Sequence, residues 1–557
     1  MAPGNGGKEG MVAPEFETHE VGNQVPPRTG VNLYAADPVL AALVEDLPQP
    51  VVDGLLQHGA QWGTAEMADL ARLASSVPPH LKTHDASGRR VDVIEFHPAY
   101  HALMRRSVAS GLHASLWDAV GDESNVRAVA RGARLYMSAQ VELGHLGPLS
   151  LTSASVASLG HAQSLAEAWL PLLRSRRYDS RAVPPAQKTG ALIGFATTEK
   201  QGGSDLRAAT TRADPMGDGT FRLVGHKWYV SAPMSDALLV LAQTLEGLSL
   251  FLVPRFLPDG KRNPLRLMRL KDKLGTRSNA VAEIELPGSI GQLVGEAGRG
   301  VSTMAETVTL LRVDDALAAA GVARAALSEA VHAVRHRRAF GAPLIDQPLM
   351  TRVLADMALD VTAATALVFR LVEAVDRSQD QPAEAAFARL MTPVVKYWVA
   401  KLAPAIVAEA MECAGGNAYV EESLLARLAR DCLALPLADG PGNVLALDVL
   451  RVLRRSPEPL EAVLKVIEDG LGAAARSTLN VLRAATAVAL ADEGSARILT
   501  EQLAMTVAAA ALRRRFPSVI ADAFLETRLG KPWRSTYGML DARFDARAFV
   551  DYVVPRP

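Results

Sequence analysis

"GALIGFATTEKQGGSD", Gly190–Asp205, is the stretch on which the fold turns, because the texture of the chain changes there. Upstream, apolar residues recur at three and four positions, as in "DPVLAALVEDL" (Asp37–Leu47) and "NVRAVARGARLYMSAQVELGHLG" (Asn125–Gly147). That period predicts an α-helical domain over residues 29–189. Downstream the runs are short and β-rich, "TFRLVGHKWYVSA", "DALLVLAQ", "LSLFLVPRF" and "NAVAEIELPG", separated by the turn signals "GDGT" and "LPDGKRN". They predict a compact antiparallel β-domain over residues 190–291.

Helical periodicity returns at Val301 in long segments joined by short polar or proline-containing links, which predicts an antiparallel bundle over residues 292–455. After "RRSPEPLE" an alanine-rich run predicts a helical C-terminal extension, 456–557. Residues 1–28, rich in Gly, Pro and charge, read as a flexible arm. The class is thus α+β and multidomain, as a length of 557 residues requires on size alone.

Charge excludes some functions. Lys and Arg number 59 against 60 Asp and Glu, so no whole-chain field attracts nucleic acid or membrane. The two cysteines, Cys413 and Cys432, lack metal spacing and support neither a disulfide framework nor a zinc site. No signal peptide is visible, and no run reads as the roughly 18 apolar residues of a membrane span. A cytoplasmic protein is expected.

Four motifs carry candidate chemistry. "ATTEKQGGSD" (Ala196–Asp205) offers hydroxyls, free N–H groups and glycines that let a backbone approach a cofactor's polar edge, although a polar β-turn reads the same way. "HKWYVSAP" (His226–Pro233) is an aromatic strand end that suits either a core or a cofactor wall. In "RHRRAFGAP" (Arg335–Pro343) the cations stabilise a helix C-terminus, or Arg337 pairs with a pyrophosphate. In "LADGPGN" (Leu437–Asn443), Asp439 is a helix cap or a catalytic base. "GEAGRG" (Gly295–Gly300) is a domain link rather than a phosphate loop.

Taken in order, "TTEKQGGSD", a β-domain closing with "DKLGTRSNA", "RRAFG" after a long helix and "GGNAYVEE" ahead of a turn resemble the acyl-CoA dehydrogenase family of flavoproteins. With "LVGHKW", "LVPRFLPDG" and "RLKDKLG", the chain is similar to the adaptive-response branch of that family, which is associated with DNA and has an additional helical C-terminal domain. The similarity runs from about Val31 to Arg455. It implies FAD, an N-terminal α-helical domain, a middle antiparallel β-domain, a four-helix bundle and a homotetramer.

By position, the resemblance implies that Phe195, Thr197, Thr198, Gly203 and Ser204 lie along the flavin and its phosphates. Tyr229, Val230 and Ser231 would cover the isoalloxazine, and Arg337 with Phe340 would reach the FAD of a neighbouring subunit. Pro348 and Glu412 stand where glutamine is common. In the family a carboxylate takes the α-proton of an acyl thioester while hydride passes from the β-carbon to flavin N5.

Counted from "GGN", that base falls on Asp439 in place of glutamate, followed by Pro441, Gly442 and Asn443 as flavin contacts. Arg312 and Ala438 fall on the substrate side, and Ala438 replaces a large aromatic. The alternative base position, ahead of Arg312, is Leu311; Asp314 and Asp315, within a turn of Arg312, read as a replacement base or, more in keeping with their place, as solvated helix positions. Aspartate ends one C–C bond short of glutamate, about 1.5 Å.

The expected function is FAD-dependent, acyl-CoA dehydrogenase-like oxidation of an acyl thioester of CoA or a carrier protein, or of a related small molecule, with the electron acceptor left open. The alternatives are a DNA-binding alkylation-response flavoprotein contacting phosphates through Arg513–Arg515, against the near-neutral charge, and a flavin oxidase or oxygenase of specialised metabolism.

Overall fold

The computed structural model describes residues 18–118, 125–472, 475–530 and 544–555. Its first part holds helices α1 (Pro38–Leu43), α2 (Gln49–Trp62), α3 (Ala65–Ser76), α4 (Pro98–Ala109), α5 (Arg127–Ala139), α6 (Leu146–Leu159) and α7 (Gln163–Leu173). Nearly every residue of α5 and α6 is buried, and the alanines, serines and glycines of these helices let neighbours approach closely. A hairpin, β1 (His80–His84) with β2 (Arg90–Glu95), interrupts what the helical period predicts to be helix throughout. Asp85 makes its turn, accepting from the N–H groups of Ser87 and Arg89. Five- and six-residue strands are too short to stand out between long helical runs.

The middle part holds β3 (Ile193–Thr198), β4 (Arg212–Pro215), β5 (Thr220–Ser231), β6 (Ala237–Thr244), β7 (Gly247–Pro254), β8 (Arg266–Leu270) and β9 (Val281–Val294). Pairings β5–β4, β4–β6, β6–β7, β7–β9 and β9–β5 close a ring, so these strands form a small barrel. Most pairings are antiparallel as expected; β4–β6 and β3–β6 are parallel. The inner face is apolar, with Leu223, Val240, Phe251 and Ile284 at its centre.

After α8 (Gly300–Thr303) come the long bundle helices α9 (Ala305–His336), α10 (Pro348–Arg377) and α11 (Pro382–Ala414), then α12 (Leu424–Asp431) and α13 (Gly442–Arg455). Contrary to the expectation of no membrane-length apolar run, α9 and α11 are long and apolar enough to span one by length and composition. Both are buried in the bundle, which is why they are apolar.

The last helices, α14 (Glu458–Leu471), α15 (Ala475–Ala491), α16 (Ala496–Arg515), α17 (Ser518–Phe524) and α18 (Ala546–Val553), share one continuous apolar core with α9, α10 and α11. Residue 455 therefore separates sequence textures and not cores. Of the predicted flexible arm, residues 1–17 lie outside the described residues, and the rest is tied to the end of α9. Asn23 exchanges two hydrogen bonds with the Arg338 backbone, Pro26 O lies 2.8 Å from His332 Nε2, and Arg28 faces Glu329.

One buried carboxylate joins the three parts. Glu142 accepts from the N–H groups of Gly144 and His145, lies 2.7 Å from His145 Nδ1, and accepts from Ser278 Oγ in the loop before β9. Burial alone pushes its carboxyl up, but the hydrogen bonds and charge of His145, with Arg427 beyond, bring it down to about 2. A depressed carboxyl stabilises the fold above its ordinary value near 4.5 and loses that contribution as pH falls through about 2. Glu142→Gln is thus expected to cost about 3 kcal/mol at neutral pH and to flatten the acid-unfolding profile in that window, as read by circular dichroism.

Candidate active site

The pairing of β3 with β5 brings two of the predicted motifs side by side: Phe195 faces Ser231, Ala196 faces Val230 and Thr198 faces Tyr229. In a regular strand Trp228 and Tyr229 would point to opposite faces. The pairing of β5 with β9 instead slips between Lys227 and Val230. Those two side chains turn inward, at 1% and 0% exposure, and both aromatic rings turn outward. Lys271 Nζ sits 3.4 Å from the Trp228 ring centroid and 4.7 Å from that of Tyr229. Val230 thus offers this outer face only its backbone, because its side chain fills the barrel.

Thr197 and Thr198 are half-buried beside the bulge, whereas Gly203 and Ser204 are exposed. A Cβ on Gly203 would lie 2.8 Å from Thr198 Oγ1, so the loop folds over the threonine only with glycine there. The loop is anchored by Glu199, which accepts from the N–H and hydroxyl groups of Thr210 and Thr211 and from Lys227 Nζ at 2.6 Å. Although burial opposes it, this set of donors holds the Glu199 carboxyl well below the usual range. The Phe195 ring belongs to the apolar layer that includes Leu151 of α6 and Leu311 of α9.

Asp439 lies on the turn before α13 with φ +46, a conformation that Asp and Asn tolerate better than most residues. It caps nothing: the N-cap position is Pro441, and no side chain caps α13. Its half-buried carboxylate has no hydrogen-bond partner among the described residues, while the backbone around it is held by two cations. Arg312 Nε donates to Asp439 O at 2.9 Å, and Lys396 Nζ donates to Ala438 O at 2.5 Å and Gly440 O at 3.1 Å. Arg312 Nη1 also binds Asp448 at 2.6 Å, so its fork is engaged in clamping the turn. Leu437 and Ala438 are exposed, as are Pro441 and Asn443; Gly442 is half-buried.

Of the neighbouring acids expected on a solvated helix face, Asp314 is buried and Asp315 is half-buried. Asp314 is buried in a bidentate pair with Arg131 of α5, both contacts at 2.6 Å. Asp315 Oδ2 is buried without a hydrogen-bond partner among the described residues, 4.0 Å from Lys396 Nζ. Burial pushes the Asp439 carboxyl up, and Lys396 and Arg312 pull it back. Burial and then the charge of Asp439 push Asp315 well above the usual range. Neither Lys396 nor the role of Glu199 follows from motif reading; the signal for Lys396 is one charge inside "MTPVVKYWVA".

Arg337 and Phe340 stand apart from this turn. Arg337 follows the last residue of α9, so it lies about 37 Å along the helix from Arg312 at 1.5 Å per residue. Arg337 Nε is buried without a hydrogen-bond partner among the described residues, and Phe340 is 96% exposed at φ +52. Pro348 opens α10 and Glu412 is exposed near the end of α11. A separate cavity of about 1300 Å³, between Arg28, Trp62, Gln140, Arg277 and Arg427, contains none of the residues expected around flavin.

Three family models match the chain in succession: the adaptive response protein AidB N-terminal domain over residues 23–180, the acyl-CoA dehydrogenase middle domain over 194–288 and the acyl-CoA dehydrogenase C-terminal domain over 298–454. The putative acyl-CoA dehydrogenase AidB of Escherichia coli is 47% identical over 444 residues, 79% of this chain and 81% of that protein. Acyl-CoA dehydrogenase family member 11 of Caenorhabditis elegans is 32% identical, covering 79% of this chain and 74% of that protein. The crystal structure of Caenorhabditis elegans ACDH-11 in complex with C11-CoA superposes with a TM-score of 0.80 at 27% identity, over 97% of this chain and 94% of that one.

Proposed function

This chain belongs to the acyl-CoA dehydrogenase family, in its AidB-like branch, and is an FAD-dependent oxidoreductase; on that premise we propose that it dehydrogenates an acyl thioester with Asp439 as the base. The observation that carries the reading is a half-buried carboxylate, free of hydrogen bonds, on a turn fixed by Arg312 and Lys396. The residues present suit FAD: outward-turned Tyr229, the hydroxyls of Thr197, Thr198 and Ser231, a loop that only Gly203 lets close, and an unpartnered Arg337 Nε. When bound, FAD supplies the acceptor for the hydride leaving the β-carbon.

The chain's own residues do the rest. Asp439 takes the α-proton, and the clamped turn keeps its carboxylate aimed without help from a flexible backbone. Ala438 and exposed Leu437 leave space on the substrate side, in line with an acyl-CoA such as the C11-CoA bound by the Caenorhabditis elegans relative. Arg337 and Phe340, some 37 Å along α9 from the turn, serve the FAD of a neighbouring subunit in a homotetramer. Anaerobic mixing with acyl-CoAs of increasing chain length should bleach the visible flavin absorbance; no bleaching by any thioester would remove this reading.

Overpacking of the kind a Cβ at residue 203 creates costs about 1–3 kcal/mol. Gly203→Ala is therefore expected to weaken FAD binding by roughly tenfold or more, read from flavin released on dilution. A DNA-binding role for Arg513–Arg515 finds less support. Arg513 pairs with Asp522, Arg514 with Glu373 and Arg515 with Glu45, Asp46 and Glu373, so these guanidiniums hold α16 in place.

A further inference from the structure

We propose that Lys396 and Asp315 are positioning residues for Asp439: Lys396 fixes the turn that carries the carboxylate, and Asp315 stands beside it as a neutral acid that leaves the ammonium charge to Asp439. The proposal rests on the assignment of Asp439 as base.

Lys396 lies in the middle of α11 with its side chain wholly buried. Its contacts to Ala438 O and Gly440 O satisfy two of its donors, but carbonyls do not neutralise a charge. Two carboxyls flank it, Asp315 from α9 and Asp439 from the turn.

The other ionised groups facing this point are accounted for. On α9, Arg312 is matched by Asp448 of α13, which also binds Arg451, and Asp314 is matched by Arg131 of α5. On α11, Lys401 lies over the Tyr397 ring and faces Arg497 and Glu501 of α16. What is left is one ammonium between two carboxyls. In an interior of low polarity the pair does best with a single negative charge.

Geometry decides which carboxyl is neutral. Asp315 Oδ2 is buried and has no hydrogen-bond donor among the described residues; the ammonium lies 4.0 Å away, beyond hydrogen-bond reach, and makes no closer ion pair with Asp439, so burial of the oxygen and not distance separates the two. Both residues are half-buried as a whole, but no carboxylate oxygen of Asp439 is sealed off without a partner as Asp315 Oδ2 is, and Asp439 lies under the influence of both Lys396 and Arg312. Burial pushes both carboxyls up, and the charge of Asp439 pushes Asp315 up further still while Lys396 and Arg312 pull Asp439 back. Asp439 is then the ionised member, as a base must be.

Two measurements on the FAD-loaded protein test this. The first is the melting temperature of wild type and Asp315→Asn against pH. An acid that keeps its proton only in the folded chain weakens the fold as pH rises through the interval between its unfolded and folded values. Asp315→Asn, neutral and of equal size, should therefore melt about 2 °C above wild type near pH 8 and converge with it near pH 4. A variant that melts lower than wild type near pH 8 would reveal a lost ion pair with Lys396, and equal melting at every pH would reveal an ordinary carboxylate; either overturns the proposal.

The second is the acid limb of flavin reduction by an acyl-CoA. Lys396 is the first of the charges that hold the Asp439 carboxyl down, so Lys396→Met should move the limb up by about one unit and Lys396→Arg should restore it. Asp315→Asn should leave the limb in place. A downward shift in Asp315→Asn, or an unmoved limb in Lys396→Met, overturns the assignment. The melting experiment needs no substrate, so a wild type that no thioester reduces would strike the base assignment and leave the state of Asp315 decided.

Discussion

Asp439→Asn is expected to slow flavin reduction by an acyl-CoA by about 10²–10⁴-fold, the range a positioned general base contributes. FAD should remain bound and the fold unchanged, because asparagine accepts the left-handed backbone at φ +46 as readily as aspartate does. Anaerobic stopped-flow absorbance separates the two effects. Asp439→Glu probes reach: the carboxylate moves out by about 1.5 Å, and a turn pinned at Ala438 O, Asp439 O and Gly440 O has little freedom to withdraw. A misplacement of about 1 Å costs on the order of 100-fold, so the longer base should also be slower on this protein's own substrate. An acceleration would show that the shorter side chain detunes the reaction.

Arg324→Met should produce the largest loss of stability, about 3–5 kcal/mol, because it leaves a buried charge and two carbonyls without their partner. Arg324 is 2% exposed in the middle of α9. Its Nη2 donates to Ala36 O, its Nη1 to Val553 O, and its Nε lies 3.3 Å from Asp37. Asp37 in turn caps α1 through the N–H groups of Val39 and Leu40 and accepts from the Tyr136 hydroxyl. One guanidinium thus joins the first helix, a central helix and the last one. Lysine should not rescue the variant, since a single ammonium cannot reach in three directions. Urea denaturation measures the loss, and early proteolytic release of α18 would locate it.

Much of this molecule was legible in one dimension, for reasons that differ by region. Helices and the strands of the β-domain announce themselves by period, the closure into a barrel does not, and the proposed wall of the site stands out because Phe195–Ser204 and Tyr229–Ser231 are contiguous motifs. Asp439, the proposed base, could be picked out by counting because only a short helix and a turn separate it from "GGN". The residues that shape its behaviour could not. Lys396 is 43 positions away in sequence and Asp315 is 124 away, by subtraction from 439, and only the packing of α9 against α11 brings them to the turn. The outward aim of Trp228 and Tyr229 depends on a bulge, which strand propensity does not encode. Arg513–Arg515 show the opposite error: a run of cations looks like a surface for phosphate until its partners, from Glu45 to Asp522, are seen.

The place of α18 has a consequence for how the protein is made. It packs on α9 and α10 and completes the shell around Arg324, yet α10 ends at Arg377 and α18 begins only at Ala546. At about 5–20 residues per second, a ribosome needs roughly 8–34 s to cover that interval. Throughout it the apolar stripe that α18 will cover faces water or a chaperone. The groove over α9 and α10 stays open until α18 is made, and a chain cut short before Val553 would carry it exposed.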